Sequence, residues 1–326
     1  VVFSKRLTQE KKQSFVDVEE AYNLWDLLNS KYDLIDKMLI WHNYTHDKDF
    51  KILMGHVVDR TRKAAKSLET ELKRYGLPAA DKPRAGVKTS ANSEVITDQE
   101  LGKSILTMVQ ELLELILRAV RTATTNDNVR ALFVKQVSGV IEDLNKLILY
   151  TKAKGWIAQP PMYPNVPADA GEKIDIGEAF HLWDHLTFRY DNIQQTQMWY
   201  EYAHDGEFKI LLKKGLQETL KKQAEMLEQE LLYFGIPLPK QPTEVIQTAK
   251  NTGIFNDDYM YRLLFIGVVG AMWIHSIAIK QCVTNDRLRR IFTDLLINEV
   301  RALDKIILYG KTKGWLNVVP QYNPQQ

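Results

Sequence analysis

The chain is predicted to be all-α, two four-helix bundles in tandem arising from internal duplication. Residues 20–54 align on 178–212 without a gap at an offset of 158, with 17 identities in 35. They include Trp25/Trp183, Asp26/Asp184, Tyr32/Tyr190, Trp41/Trp199, His46/His204 and Asp47/Asp205. Residues 125–156 align on 284–315 at an offset of 159, with 14 identities in 32. That block opens on Thr-Asn-Asp and closes on Tyr-x-Lys-x-Lys-Gly-Trp in both copies. Repetition at this scale makes two similar domains, not a solenoid of short repeats. Apolar residues recur at helical spacing, and no segment shows a strand signal of useful length. The expected division is 1–160 for the first bundle, 161–173 for a Pro-rich linker and 174–326 for the second bundle.

The first helix of each half is expected over about 17–43 and 175–201. Ala21, Leu24, Trp25, Leu28, Tyr32, Ile35 and Leu39 form one apolar face. The second helix starts after His46-Asp47 or His204-Asp205, with the aspartate as N-cap. It stops at Tyr-Gly-Leu-Pro in the first half and Phe-Gly-Ile-Pro in the second, Gly followed by Pro being a helix stop. Linkers follow over about 78–96 and 237–254. The third helix is expected over about 97–124 and 256–283, and Thr-Asn-Asp turns into the fourth. Lysines in the last turn of the fourth helix suit its negative end, and the glycine after them suits a left-handed closing residue.

The third helix differs between halves. In the first, Lys103, Thr107, Glu111, Glu114, Arg118 and Arg121 make a polar stripe. In the second, residues 263–279 are interrupted only by His275, Ser276 and two glycines. A helix apolar all round is expected to be buried on every side, against the first bundle or a neighbouring subunit. Its length approaches that of a membrane span. Its counterpart is amphipathic, so no span is expected.

Bulk properties exclude several classes. The 43 basic and 41 acidic residues leave a net charge of +2, with no basic stripe for nucleic acid. No apolar h-region follows the first residues, so no signal peptide is expected. The single cysteine, Cys282, cannot form an intramolecular disulfide and reads as a small apolar residue near a helix end.

Metal chemistry is tested by geometry. A di-iron bundle needs inward-facing glutamates and Glu-x-x-His pairs. On a helical wheel centred on Ala21, Asp26 and Asp33 fall on the flank and Glu20 falls off the core face, so no such centre is expected. His181 and His185 have the spacing of metal ligands. The wheel turns them away from the core, and their counterparts are Asn23 and Leu27. The repeated His46-Asp47 and His204-Asp205 pairs read as helix-end turns, with a metal corner or general base as the sharper alternative. The repeated Trp25, Trp183, Tyr32 and Tyr190 read as core. Glu299 replaces Val140 on an apolar helix face, and His275 lies in the apolar third helix. Both are candidate buried polar groups, and helix register does not require them to meet. No phosphate loop or Ser-His-Asp order is present. No cofactor is expected.

The duplicated Leu-Trp-Asp and Tyr-Asp of the first helix, the His-Asp and Phe-Lys entry to the second, the Tyr-Gly-Leu-Pro stop and the Gly-Trp ending resemble a family of spore-forming bacteria. This is the domain of unknown function 3231, similar to the spore coat protein F family. The resemblance implies two ferritin-like bundles and a place in the cytoplasm of the sporulating cell or in the spore coat. It implies no catalytic residues. The expected function is a non-enzymatic structural or interaction protein, partnered with its own copies or another coat-type protein. The alternatives are a metal-binding ferritin-like oxidoreductase or storage bundle, and a small-molecule binder.

Overall fold

A computed structural model describes residues 13–78, 81–82, 96–241 and 255–322. The parts of the expected 78–96 and 237–254 linkers beyond these bounds lie outside the described residues. The described residues are helical, with isolated bridges Asp17 to Gln321 and Met162 to Asp175 and no strands.

The chain divides into two units, Val1–Ala158 with Asn317–Gln326, and Gln159–Leu316. The first contains α1 (Val18–Tyr44), α2 (Lys48–Arg74), α3 (Asp98–Thr122) and α4 (Asp127–Ala153). Its tail is tied in by backbone bonds, Val18 N–H to Pro320 O and Tyr322 N–H to Val16 O. The second contains α5 (Ile176–Tyr202), then α6 (Gly206–Gly215), a π turn (Leu216–Leu220) and α7 (Lys221–Tyr233) as one continuous rod, then α8 (Asp257–Gln281) and α9 (Asp286–Lys313).

In the first unit α1 packs on α2 and α3, and α4 packs on α3 and α2. The Asp98 carboxylate accepts from the backbone N–H of His46 and Asp47, so α2 and α3 begin at the same end. Asp257 does the same for His204 and Asp205 in the second unit. Gly76, Gly155, Gly235 and Gly314 close the second and fourth helices at φ of 66 to 72°. A side chain there would be strained, which is why each stop carries glycine.

The duplicated motifs fall into two structural nodes. At one end, Asp17 caps α1 in a capping box with Glu20. The other Glu20 oxygen accepts from the N–H groups of Thr125 and Asn126, where α4 begins. Glu178 does the same for Thr284 and Asn285, and also accepts from Cys282 Sγ at 3.1 Å. Glu20, expected off the core face, is therefore buried, because this turn needs its carboxylate inside. At the other end, Asp47 caps α2 and pairs with Lys154 at 2.6 Å, and Asp205 pairs with Lys313 at 2.7 Å. Trp156 stands edge-on to Phe50 and Tyr150, and Trp315 to Phe208 and Tyr309.

Of the four repeated aromatics expected in the core, the tyrosines are there and the tryptophans are not. Tyr32 and Tyr190 are buried, with their hydroxyls on Glu69 and Glu228. Trp25 and Trp183 are each 39% exposed, because their place is on the flank of the stripe. The third and fourth helices also trade bulk. Gly102 faces Trp156 and Thr151 in the first unit. At the equivalent places stand Tyr261 and Gly310, and a Cβ on Gly310 would lie 2.0 Å from the Tyr261 hydroxyl oxygen. That hydroxyl donates to Ile306 O at 2.9 Å.

The continuous rod α6–α7 holds one residue more than α2. The helix starts differ by 158 and the stops Gly76 and Gly235 by 159. The extra residue is taken up in the π turn, where Lys221 N–H donates to Leu216 O, five residues back.

Candidate functional site

A buried polar cluster forms in the second unit around Arg189 of α5. Arg189 is 2% exposed and sits at the place of Lys31, which is buried in the first unit. Its Nη2 donates to His275 Nε2 of α8 at 2.9 Å and to Glu299 Oε2 of α9 at 2.9 Å. His275 Nε2 lies 3.7 Å from Glu299 Oε2. Glu299 and His275, which helix register did not require to meet, thus share one guanidinium.

His181 and His185 also enter this cluster, contrary to their expected solvent-facing position. His185 is 1% exposed and its ring lies 4.9 Å from that of His275, centroid to centroid. The Ala21-centred wheel drew the core face too narrow, for Leu27, the counterpart of His185, is buried as well. His185 Nδ1 lies 2.6 Å from His181 O and must donate, leaving Nε2 as the lone-pair nitrogen. His275 Nε2 receives the Arg189 proton, so its Nδ1 carries hydrogen. Both His185 Nε2 and His275 Nδ1 lack a hydrogen-bond partner within the protein. His181 Nε2 meets Gln281 Oε1 at 2.8 Å.

The electrostatics follow from burial. Burial holds His185 well below the ordinary histidine range, and neighbouring His275 adds to the effect. Burial also lowers His275, against the pull of Glu299. For Glu299 burial pushes upward, but Arg189 and His275 outweigh it and leave the carboxyl below its usual value. The cluster is thus one Arg–Glu ion pair flanked by neutral imidazoles. A cavity of about 40 Å³ beside Arg189 and Glu299, bounded also by Leu220 of the π turn, has room for water-sized groups only.

The spacing Glu-x-x-His occurs at Glu178–His181 and Glu201–His204. Neither is an inward ligand pair. Glu178 serves the turn amides and Cys282, and His204 is exposed. His185 Nε2 has the carbonyl-anchored arrangement of a metal ligand, but the cationic Arg189 occupies the facing nitrogen of His275. No group of three or more His, Cys, Asp or Glu among the described residues is placed to hold a metal ion. His46 is exposed like His204, while Asp47 and Asp205 act as N-caps.

The first unit has a looser version. Burial lowers Lys31 to about 8, with Asp143 pulling the other way. Burial raises Asp143 to about 7 against Arg60. Arg60 Nε lies 3.2 Å from Asp143. Arg189, Lys31 and Asp143 were not singled out in the sequence. A cation at one position of the apolar stripe in both halves was the available signal.

Residues 166–326 match the model of DUF3231, a family described as a protein of unknown function. No curated protein matches the chain. Among solved structures, a protein from Bacillus halodurans C-125, described provisionally as a spore coat protein, is similar at 20% identity and a TM-score of 0.44. The alignment covers 48% of this chain and 99% of that one. The DUF3231 match spans the part of the chain that carries the second copy of the helix caps, glycine stops and aromatic end cluster.

Proposed function

We propose that the protein is a non-enzymatic structural or interaction protein that self-associates through the outer face of α8. The observation that carries this is the exposure of Ile266 at 63% and Trp273 at 49%. These residues, with Gly270 and Ile277, replace Thr107, Glu114, Glu111 and Arg118 of the first unit. Within its own unit this helix is not buried on every side, and its apolar stripe is not covered by the neighbouring helices of that unit. Large apolar side chains gathered on one face mark an interaction site. A second copy supplies a matching apolar face without needing a charged complement.

By length and composition α8 could cross a membrane. We read it as a partner face because its inner side holds His275 on Arg189 and Tyr261 on a backbone carbonyl. The closed polar cluster favours a non-enzymatic reading, since it offers only a water-sized cavity. We further read each unit as a ferritin-like bundle and the pair as products of duplication, on the strength of the aligned blocks. The proposed setting, in the sporulating cell or spore coat, rests on family resemblance, and immunodetection on purified spores tests it.

Light scattering of the full chain should give dimers or larger species. The double variant Ile266→Glu, Trp273→Glu should be monomeric with unchanged helix content. A strictly monomeric wild type at high concentration overturns self-association.

A further inference from the structure

On the other side of the second unit, α6, the π turn and α7 diverge from α9 and leave a groove of about 1100 Å³. In the first unit the same seam is clasped and leaves a smaller cavity of about 290 Å³. Arg60 of α2 donates to Glu142 at 2.7 Å and to Gly139 O at 3.4 Å, and Gln136 donates to Ala64 O at 3.2 Å. None of these clasps survives in the second unit. Glu218 and Thr219 of the π turn stand in the place of Arg60, Arg301 in that of Glu142, Leu295 in that of Gln136 and Gln223 in that of Ala64.

The groove has an apolar lining and an unmatched positive rim. Leu211, Met226, Leu295 and Ile306 line it. Of its acids, Glu207 is paired with Lys313 and Glu218 with Lys214. Lys222, Arg301 and Lys305 make no ion pair among the described residues and face only Asp294 as an unpaired acid. Gln223, 8% exposed, lines the groove with its Oε1 unpartnered in the protein. An amide can turn either end to a ligand, so Gln223 can donate to a carboxylate. The volume is that of a small-molecule site.

We propose that this groove binds a single-chain amphiphile of the fatty-acid class, its carboxylate on Arg301, Lys305 and Lys222 and its chain on the apolar lining. A neutral apolar molecule would leave the three cations unmatched, and an inorganic anion would leave the lining wet.

Calorimetry on the full chain with sodium oleate below its micellar concentration, and with methyl oleate, tests this. Oleate should bind at a defined stoichiometry and methyl oleate at least about tenfold more weakly. The double variant Arg301→Glu, Lys305→Glu, at two exposed positions, should weaken oleate by about tenfold or more. Ala302→Trp should block the groove, and Trp273→Glu on the α8 face should change nothing. The proposal is overturned if oleate fails to bind. It is equally overturned if the ester binds as well as the acid, or if Trp273→Glu lowers affinity while the groove variants do not.

Discussion

The two units solve the same two problems differently. Each buries a cation from its first helix, Lys31 or Arg189, and each has a seam between its second and fourth helices. In the first unit one surface residue, Arg60, reaches both the seam and Asp143. In the second unit Arg189 is paired from within, by His275 and Glu299, and the seam widens to about 1100 Å³ against about 290 Å³ in the first. The carboxylate facing the buried cation has moved one turn along the fourth helix, from Asp143 to Glu299. A π turn, Leu216–Leu220, stands at the place of Arg60, and Glu299 is paired with Arg189 instead. The lesson is that a buried charge and a distant groove are linked through the residue that serves both.

The strongest test of this contrast is removal of each carboxylate. Glu299→Ala leaves Arg189 buried without a counterion and should cost the second unit about 3–5 kcal/mol. Asp143→Ala should cost the first unit under about 2 kcal/mol, because Lys31, lowered by burial to about 8, can shed its proton where Arg189 cannot. Hydrogen exchange read separately over the two units measures both, and equal losses would erase the distinction.

The traded bulk gives the next effect. Gly310→Thr drives a side chain into Tyr261 and should cost about 1–3 kcal/mol or more. Adding Tyr261→Gly, which restores the first unit's pairing, should recover most of that loss in a double-mutant cycle. Additive losses would mean the trade has no energetic content.

Acidification should separate the units with opposite sign. His185 and His275 titrate below the ordinary 6.5, so the unfolded chain takes up protons first, and the second unit loses stability as pH falls below about 6.5. Asp143 is raised from 3.8 to about 7, so the folded first unit holds its proton more tightly and gains stability as pH falls from about 7 toward 4. Glu20 and Glu178 are both raised by burial, Glu20 to about 7, and Asp17 is raised beside Glu20, so these groups act in the same direction as Asp143 in the first unit. Each group contributes at most about 1.4 kcal/mol per pH unit. Exchange rates measured at pH 7.5 and 5.5 should diverge between units, and His185→Leu with His275→Ile should flatten the second unit's response.

The smallest effect belongs to Arg60. Its pair with Glu142 is partly exposed, and Arg60→Ala should cost about 1 kcal/mol or less. A loss several times larger, seen by urea unfolding, would show that the clasp holds the whole first unit together.

Much of the helical layout was legible. The Asp47 and Asp205 caps, the Gly76 and Gly235 stops and the Thr-Asn-Asp turns are local signals, decided by backbone chemistry within a few residues. The π turn was implicit as well, since offsets of 158 before and 159 after require one extra residue within the second helix. The polar cluster was not read correctly. A wheel with one reference residue treats the core as a line, whereas Leu27 and Leu28 on either side of the stripe are both buried. His185 inherits the place of Leu27, an apolar counterpart that argued for burial. The meeting of His275, Arg189 and Glu299 comes from three helices, and no spacing along one of them encodes it.

The exchange of Gly102 and Thr151 for Tyr261 and Gly310 bears on how such halves can be recombined. A hybrid that grafts α3 beside α9 would place two small residues face to face, and one that grafts α8 beside α4 would crowd Thr151 against Tyr261. Any exchange between the units must therefore carry the third and fourth helices together as a single cassette.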